Sequence, residues 1–139
     1  MTRFAVVVFG LIAIASAHDV KAEDARIDVE LNKLEPVDAA CRAYLVFENR
    51  TDMAFNTFKL DLVMFDTENV IAKRVAVEAG TLPVDKTSVK LFDIEGLACP
   101  EIERVLLNRV MACDTASEGQ PDCTALTAPS SRTEAAFIK

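Results

Sequence analysis

One stretch of nine residues, 58–66, constrains the fold of this chain more than any other. Apolar side chains recur at every second position on one face, at Phe58, Leu60, Leu62 and Met64. The opposite face carries Lys59, Asp61, Val63 and Phe65. Alternation with a period of two over this length predicts a half-buried β-strand. The first set of side chains should point into a core, and Asp61 should lie at the surface.

A polar break at residues 66–69 follows this strand, and a second apolar-rich run extends over residues 70–77. Two such runs joined by a short loop with Asp and Asn predict a β-hairpin. A hairpin cannot bury its apolar face alone, so strands on either side must supply a second layer.

The first 17 residues are predicted to be a secretory signal peptide. Arg3 precedes an apolar run at residues 4–15, and Ala15-Ser16-Ala17 fits the small-residue cleavage pattern. The run is shorter than the roughly 20 residues that span a bilayer. Cleavage after Ala17 leaves residues 18–139 as one domain, whereas cleavage after Ala22 would leave Glu23 first. The product should be periplasmic or secreted, without stable membrane insertion.

The mature chain should be acidic. The 139 residues include 22 Asp and Glu and 15 Lys and Arg, and cleavage after Ala17 removes Arg3 alone among them, which leaves a net charge of −8. A chain of this charge repels phosphate backbones and anionic lipid surfaces. Nucleic acid is therefore excluded as a partner, and the charge otherwise indicates a soluble surface.

Further strands are predicted at residues 26–32, 41–49, 87–94, 102–112 and 133–138, with the first ended by Pro36. Within residues 102–112, the core at Val105, Leu106 and Leu107 is apolar on both faces, which favours a central strand, with a short helix as the alternative. Asn49-Arg50-Thr51 matches an N-glycosylation pattern, but a turn is the preferred interpretation. About seven short strands with turn signals between them predict an all-β, immunoglobulin-like antiparallel β-sandwich.

Four cysteines in an exported domain predict two disulfides. If consecutive strands alternate in direction, Cys41 lies at the same end of the sandwich as Cys99, and Cys113 and Cys123 share the other end. A bond from Cys41 to Cys113 would have to cross about 30 Å, at about 3.3 Å per residue, whereas disulfide Cα atoms lie about 5.5 Å apart. The predicted pairs are therefore Cys41–Cys99 and Cys113–Cys123.

Three segments carry a family resemblance: residues 44–49 (Tyr-Leu-Val-Phe-Glu-Asn), residues 62–66 (Leu-Val-Met-Phe-Asp) and Leu82-Pro83. They resemble the FxLYD-type and related immunoglobulin-like modules of secreted bacterial proteins, although Met64-Phe65-Asp66 stands where that family has Leu-Tyr-Asp. The Leu-Phe-Asp run near residue 92, the paired cysteines and the Ser-Arg-Thr tail are also similar to small exported alphaproteobacterial proteins. Both resemblances imply a structural or binding module, and neither supplies a catalytic site.

Motifs for chemistry are sparse in this sequence. The only histidine is His18, so a Ser-His-Asp arrangement is not expected, and the cysteine spacings fit neither a redox pair nor zinc. As a mature N-terminus, His18 could bind copper through its amine and imidazole, which would make the protein a small periplasmic copper carrier. The acidic loop at residues 114–122 is an alternative calcium site, but its oxygen ligands do not alternate regularly. No cofactor is expected.

The interpretation that we favour is a non-enzymatic periplasmic module for protein interaction or assembly, with an envelope protein as partner. Two outward-facing pairs could form its interface: Tyr44 and Val46 on one strand, and Val63 and Phe65 on the next. If the two strands are neighbours, these side chains form an apolar patch surrounded by charged residues. Such patches mark protein interfaces.

Overall fold

The computed structural model describes residues 24–139, so the signal-peptide prediction, both cleavage sites and His18 lie outside the described residues. Within this range the chain forms eight strands, one 3₁₀ turn (Cys99–Glu101) and one short helix, α1 (Cys123–Leu126). The strands are β1 (Ile27–Val37), β2 (Ala40–Asn49), β3 (Phe55–Phe65), β4 (Ile71–Glu78), β5 (Thr87–Glu95), β6 (Arg104–Thr115), β7 (Thr127–Ser131) and β8 (Ala136–Ile138).

The strands form two four-stranded sheets, in the orders β5-β2-β1-β7 and β4-β3-β6-β8. We name them the β2 sheet and the β3 sheet after an inner strand of each. The prediction of an all-β sandwich with two disulfides is confirmed. The strand count is eight rather than seven, and the sheets are mixed, because β7 runs parallel to β1 and β8 runs parallel to β6. The strand that the sequence analysis did not predict is β7. It contains Pro129 and lacks an alternation of apolar residues, and a strand at the edge of a sheet tolerates both features.

The strand on which the sequence interpretation rests is β3, an inner strand between β4 and β6. Its four predicted inward side chains are all fully buried: Phe58, Leu60, Leu62 and Met64. The hairpin to β4 is also confirmed. In its loop, an Asp66 carboxylate oxygen accepts hydrogen bonds from the backbone N–H groups of Glu68 and Val70, at 3.0 and 2.9 Å. The polar break in the sequence is therefore a specific turn.

The core lies between the two sheets. Phe47 of the β2 sheet meets Phe58 of the β3 sheet edge to face, with ring centroids 6.2 Å apart. Phe55 packs against the same ring at 5.7 Å. Edge-to-face pairs of buried aromatic rings add to the stabilisation that burial itself gives. These three aromatic rings therefore form part of the direct contact between the two sheets.

Both disulfide predictions are confirmed. Cys41 is bonded to Cys99, with Cα atoms 4.9 Å apart, and Cys113 to Cys123, with Cα atoms 6.4 Å apart. The first bond ties β2 to the 3₁₀ turn that precedes β6, so it links a strand of one sheet to the segment that enters the other. The second closes the loop between β6 and α1.

The bounds of β1 and β6 differ from the predicted residues 26–32 and 102–112. Pro36 does not end β1, which continues to Val37; Pro36 pairs with Cys41 beside the turn to β2, near the strand end, where a missing N–H is tolerated. Most of the segment at residues 102–112 belongs to β6 rather than to a helix. β6 lies between β3 and β8, as the apolar run at residues 105–107 predicted for a central strand.

Asn49 lies where the chain leaves the β2 sheet and crosses to the β3 sheet. It is fully buried, and its amide nitrogen donates to the carbonyl oxygens of Met53 and Leu82, at 2.8 and 3.0 Å. Its side-chain oxygen accepts hydrogen bonds from the backbone N–H and the hydroxyl of Thr51. A glycan would have to be attached to this buried nitrogen, and the pattern at residues 49–51 is instead the end of β2 followed by a bend at residues 51 and 52.

Candidate functional site

The structure does not bring the four predicted interface residues together. Tyr44 and Val46 lie on β2, whereas Val63 and Phe65 lie on β3, in the other sheet. Their side chains point outward from opposite faces of the sandwich. The prediction of one patch is wrong, because the segment after Asn49 crosses between the sheets and does not return as a hairpin.

The two residues on β3 are also less exposed than predicted. Val63 is buried. Phe65 is half-buried, and the guanidinium carbon of Arg104 lies 4.2 Å from the centroid of its ring. A guanidinium over an aromatic face is a favourable contact that also covers the ring. These side chains therefore do not form an exposed apolar surface.

The residues on β2 have apolar neighbours of a different origin. In the register of β2 and β5, Tyr44 is opposite Leu91, and Val46 is opposite Val89. The exposed fractions of Val89 and Leu91 are 54% and 52%. We call these four residues the β2–β5 patch. It lies on the outer face of the β2 sheet and reaches the edge of that sheet.

Charged side chains surround the β2–β5 patch. Arg42 donates two hydrogen bonds to the Asp93 carboxylate, at 2.7 and 2.9 Å. The Tyr44 hydroxyl donates to Glu35, and this hydrogen bond raises the pKa of Tyr44. The pKa of Glu35 is lowered by a hydrogen bond from Lys33 and then by that from Tyr44. Both hydrogen-bonded pairs hold polar groups at the border of an apolar surface, as is typical of protein interfaces.

The opposite face of the sandwich contains a buried carboxylate that the alternation pattern placed at the surface. Asp61 is only 2% exposed. Arg74 of β4 binds it through two hydrogen bonds of 2.7 Å, and Asn108 of β6 donates a third at 2.7 Å. Arg109 lies 3.6 Å away. The sequence expectation of an ordinary surface aspartate is therefore wrong, because side chains from both neighbouring strands cover this carboxylate.

These hydrogen bonds give a pH-dependent prediction. The bonds from Arg74 and then from Asn108 lower the pKa of Asp61 to about 2, whereas an aspartate in an unfolded chain titrates near 3.9. Because the pKa is lower in the folded state, the stabilisation is complete above about pH 5 and is lost as the pH falls towards 2. Asp61→Asn should therefore lower the free energy of unfolding by about 1–2 kcal/mol at pH 7, a figure reduced by solvent screening at the exposed arginines.

Urea unfolding at pH 7, pH 4 and pH 2.5 measures this effect. The difference between Asp61→Asn and the wild type should shrink steadily across the series. Asp52→Asn is the control, because Asp52 is exposed. A difference of the same size at all three pH values would show that the ionised carboxylate is not the source of the stabilisation.

The sequence offered the acidic loop at residues 114–122 as an alternative calcium site. In residues 24–139 the structure shows no group of three or more His, Cys, Asp or Glu side chains placed to hold a metal ion, and this range includes the acidic loop at residues 114–122. Asp122 of that loop instead caps α1, by accepting a hydrogen bond of 3.0 Å from the backbone N–H of Ala125. In the same range, no helix combines the length and the apolar character needed to cross a membrane.

An open cleft of about 450 Å³ lies beside the Cys41–Cys99 disulfide, between the end of β1 and the segment that joins β7 to β8. Its charged lining residues include Lys33 and Arg132. Lys33 is bound to Glu35 at 2.8 Å, and Arg132 is bound to Glu30 at 2.9 Å. These cations are already paired, and the β2–β5 patch is the better candidate for a functional site.

A small β-sandwich with two disulfides and an apolar patch at a sheet edge defines a class of module rather than one activity. No family model and no curated protein matches the chain. Among solved structures, IrmA from Escherichia coli is similar, with 12% sequence identity and a TM-score of 0.57. The alignment covers 75% of this chain and 90% of IrmA. At this identity the likeness shows the fold alone.

Proposed function

We propose that this protein is a non-enzymatic interaction module of the bacterial periplasm or exterior, and that it binds an envelope protein through the β2–β5 patch. The observation that carries this proposal is the exposure of Val89 and Leu91 beside Tyr44 and Val46. Two disulfides are typical of proteins that fold in an oxidising compartment. The resemblance to immunoglobulin-like modules of secreted bacterial proteins supports the same class of function.

Site-specific photo-crosslinking in an exporting bacterium tests the proposal. A photoreactive amino acid at position 91 should yield a discrete adduct with one envelope protein, which mass spectrometry would identify. The same amino acid at position 70 is the matched control, since Val70 is exposed to a similar degree but lies in the β3–β4 loop, away from the patch. Adducts in equal yield at both positions, or none at position 91, would contradict the proposal.

Substitution then separates binding from stability. Val89→Asp should abolish the adduct formed from position 91 and leave the thermal midpoint almost unchanged, because a charge at a half-exposed site stays in water. Val70→Asp should leave both the adduct and the midpoint unchanged. A large fall in the midpoint for Val89→Asp alone would mean that Val89 supports the fold instead of a partner.

A further inference from the structure

The sandwich has four edge strands, and they differ in how well they are protected against pairing with another chain. β7 contains Pro129, and β8 is three residues long. β4 carries consecutive cationic residues, Lys73 and Arg74. Short strands, prolines and charged residues all discourage the addition of a further strand. β5 also carries charged residues, but they are not consecutive; it is nine residues long, the longest of the four edges, contains no proline and carries two exposed apolar side chains, so it offers the longest run of backbone to a further strand.

The backbone of β5 is open on the side away from β2. Among the described residues, one hydrogen bond from outside that pairing reaches its backbone, from the Lys73 ammonium to the Glu95 carbonyl oxygen at 2.7 Å. This contact lies at the last residue of the strand. The other outward-facing N–H and C=O groups are available to a further strand, and such groups supply the affinity in strand addition.

The side chains of β5 define what an added strand must carry. Val89 and Leu91 lie on the outer face, so they favour apolar residues opposite them. Lys90 lies between them in sequence and points to the opposite face of the sheet, where it is half-buried. In residues 24–139 no carboxylate forms an ion pair with Lys90. An acidic residue opposite Lys90 would supply the missing countercharge.

We propose that β5 accepts an extended segment of the partner protein as a fifth strand of the β2 sheet, and that this segment alternates apolar, acidic, apolar. This inference rests on the proposed function and states the chemistry of the partner at the same site. The added apolar residues would extend the β2–β5 patch into one continuous apolar row across three strands. The acidic residue would bind Lys90 on the opposite face of the new strand.

A second copy of this chain fits the same edge less well. In an antiparallel pair of two β5 strands, the register that places Val89 opposite Leu91 also places Lys90 opposite Lys90 of the other copy. Like charges directly opposite each other destabilise a strand pair. Moving the register by two residues in one direction separates the lysines but places Val89 opposite Asp93. Moving it by two residues in the other direction places Thr87 opposite Leu91. A partner that supplies an acidic residue avoids this conflict.

A designed peptide tests the inference with purified mature protein. The peptide has nine residues and the sequence Thr-Val-Thr-Val-Glu-Val-Thr-Val-Thr. Its sequence is the same in both directions, so the strand direction need not be known. We expect the peptide to slow hydrogen exchange at every second backbone amide of residues 87–95, and to bind about fivefold more tightly than a matched peptide with a central lysine.

Charge exchange on the protein completes the test. Lys90→Glu should reverse the preference between the two peptides, and Lys90→Gln should remove it. The inference is overturned if neither peptide protects β5 amides at millimolar concentration, if protection falls on another strand, or if the two peptides bind equally. If the protein alone forms a dimer in which β5 amides are protected, the added strand is a second copy of this chain and not a segment of a partner. A crosslink from position 91 without strand protection would retain the proposed function and reject strand addition.

Discussion

Replacing Leu62 with alanine is expected to lower the free energy of unfolding by about 3–5 kcal/mol, the upper part of the range for buried leucines. Leu62 has no exposed surface, and it lies on an inner strand with neighbours on both sides. The substitution removes apolar atoms from the core, and a closely packed β-sandwich cannot collapse fully into the space. Urea denaturation followed by circular dichroism measures the change.

Leu91→Ala is the matched control, because the same atoms are removed from a leucine that is half exposed on an edge strand. We expect it to change the free energy of unfolding by less than about 0.5 kcal/mol, as for other surface sites. Equal losses at positions 62 and 91 would show that Leu91 is buried in solution, which would also remove the basis of the proposed interface.

Removing the Cys41–Cys99 disulfide is expected to cost about 4 kcal/mol, and removing Cys113–Cys123 about 3 kcal/mol. The first bond closes a loop with a sequence separation of 58 residues, and the second closes one of 10. A longer loop restricts the unfolded chain more strongly, so its bond contributes more to stability in the chain-entropy model. Both figures are upper values, since neither includes strain in the folded state.

Paired alanine variants measure the two contributions separately: Cys41→Ala with Cys99→Ala, and Cys113→Ala with Cys123→Ala. Each pair leaves the other disulfide intact, so no free thiol confuses the comparison. Peptide mapping without reduction should find the remaining bond unchanged. If the small loop contributes more than the large one, local packing around α1, rather than restriction of the unfolded chain, determines the stability.

The sequence was most informative where one face of a strand is fully buried. The alternation at residues 58–64 assigned the four inward side chains of that run correctly, because a shift of one residue would expose the whole apolar set, but it did not include Phe55, which β3 also buries in the core. The disulfide pairing followed from strand direction in the same way. Both inferences depend on the order of elements along the chain, which the sequence contains.

Asp61 shows where such an inference fails. Alternation establishes the face on which a side chain lies, but not what covers that face. Arg74 and Asn108 approach Asp61 from β4 and β6, and Asn108 is 47 residues away in sequence. A register between strands is needed to place them, and the sequence does not supply one.

The candidate interface failed for a related reason. Tyr44 and Val46 face outward as predicted, but their apolar neighbours are Leu91 and Val89 on β5, which follow them by more than 40 residues. The pairing of β2 with β5 is a property of the sheet order. A useful sign was present in the link after Asn49, which lacks the two-residue Asn-Gly or Asp-Gly turn of a tight hairpin.

The two parallel strands near the end of the sequence have a consequence for the order in which the fold can be completed. β7 covers the free side of β1, and β8 covers the free side of β6, so one short segment closes the same side of both sheets. A ribosome or a translocation channel releases a chain from its N-terminus, so this segment emerges after all the other strands. Until it emerges, each sheet has three strands and two open edges. The interval before closure is then the period in which a protease or a neighbouring unfinished chain has the best access to β1 and β6.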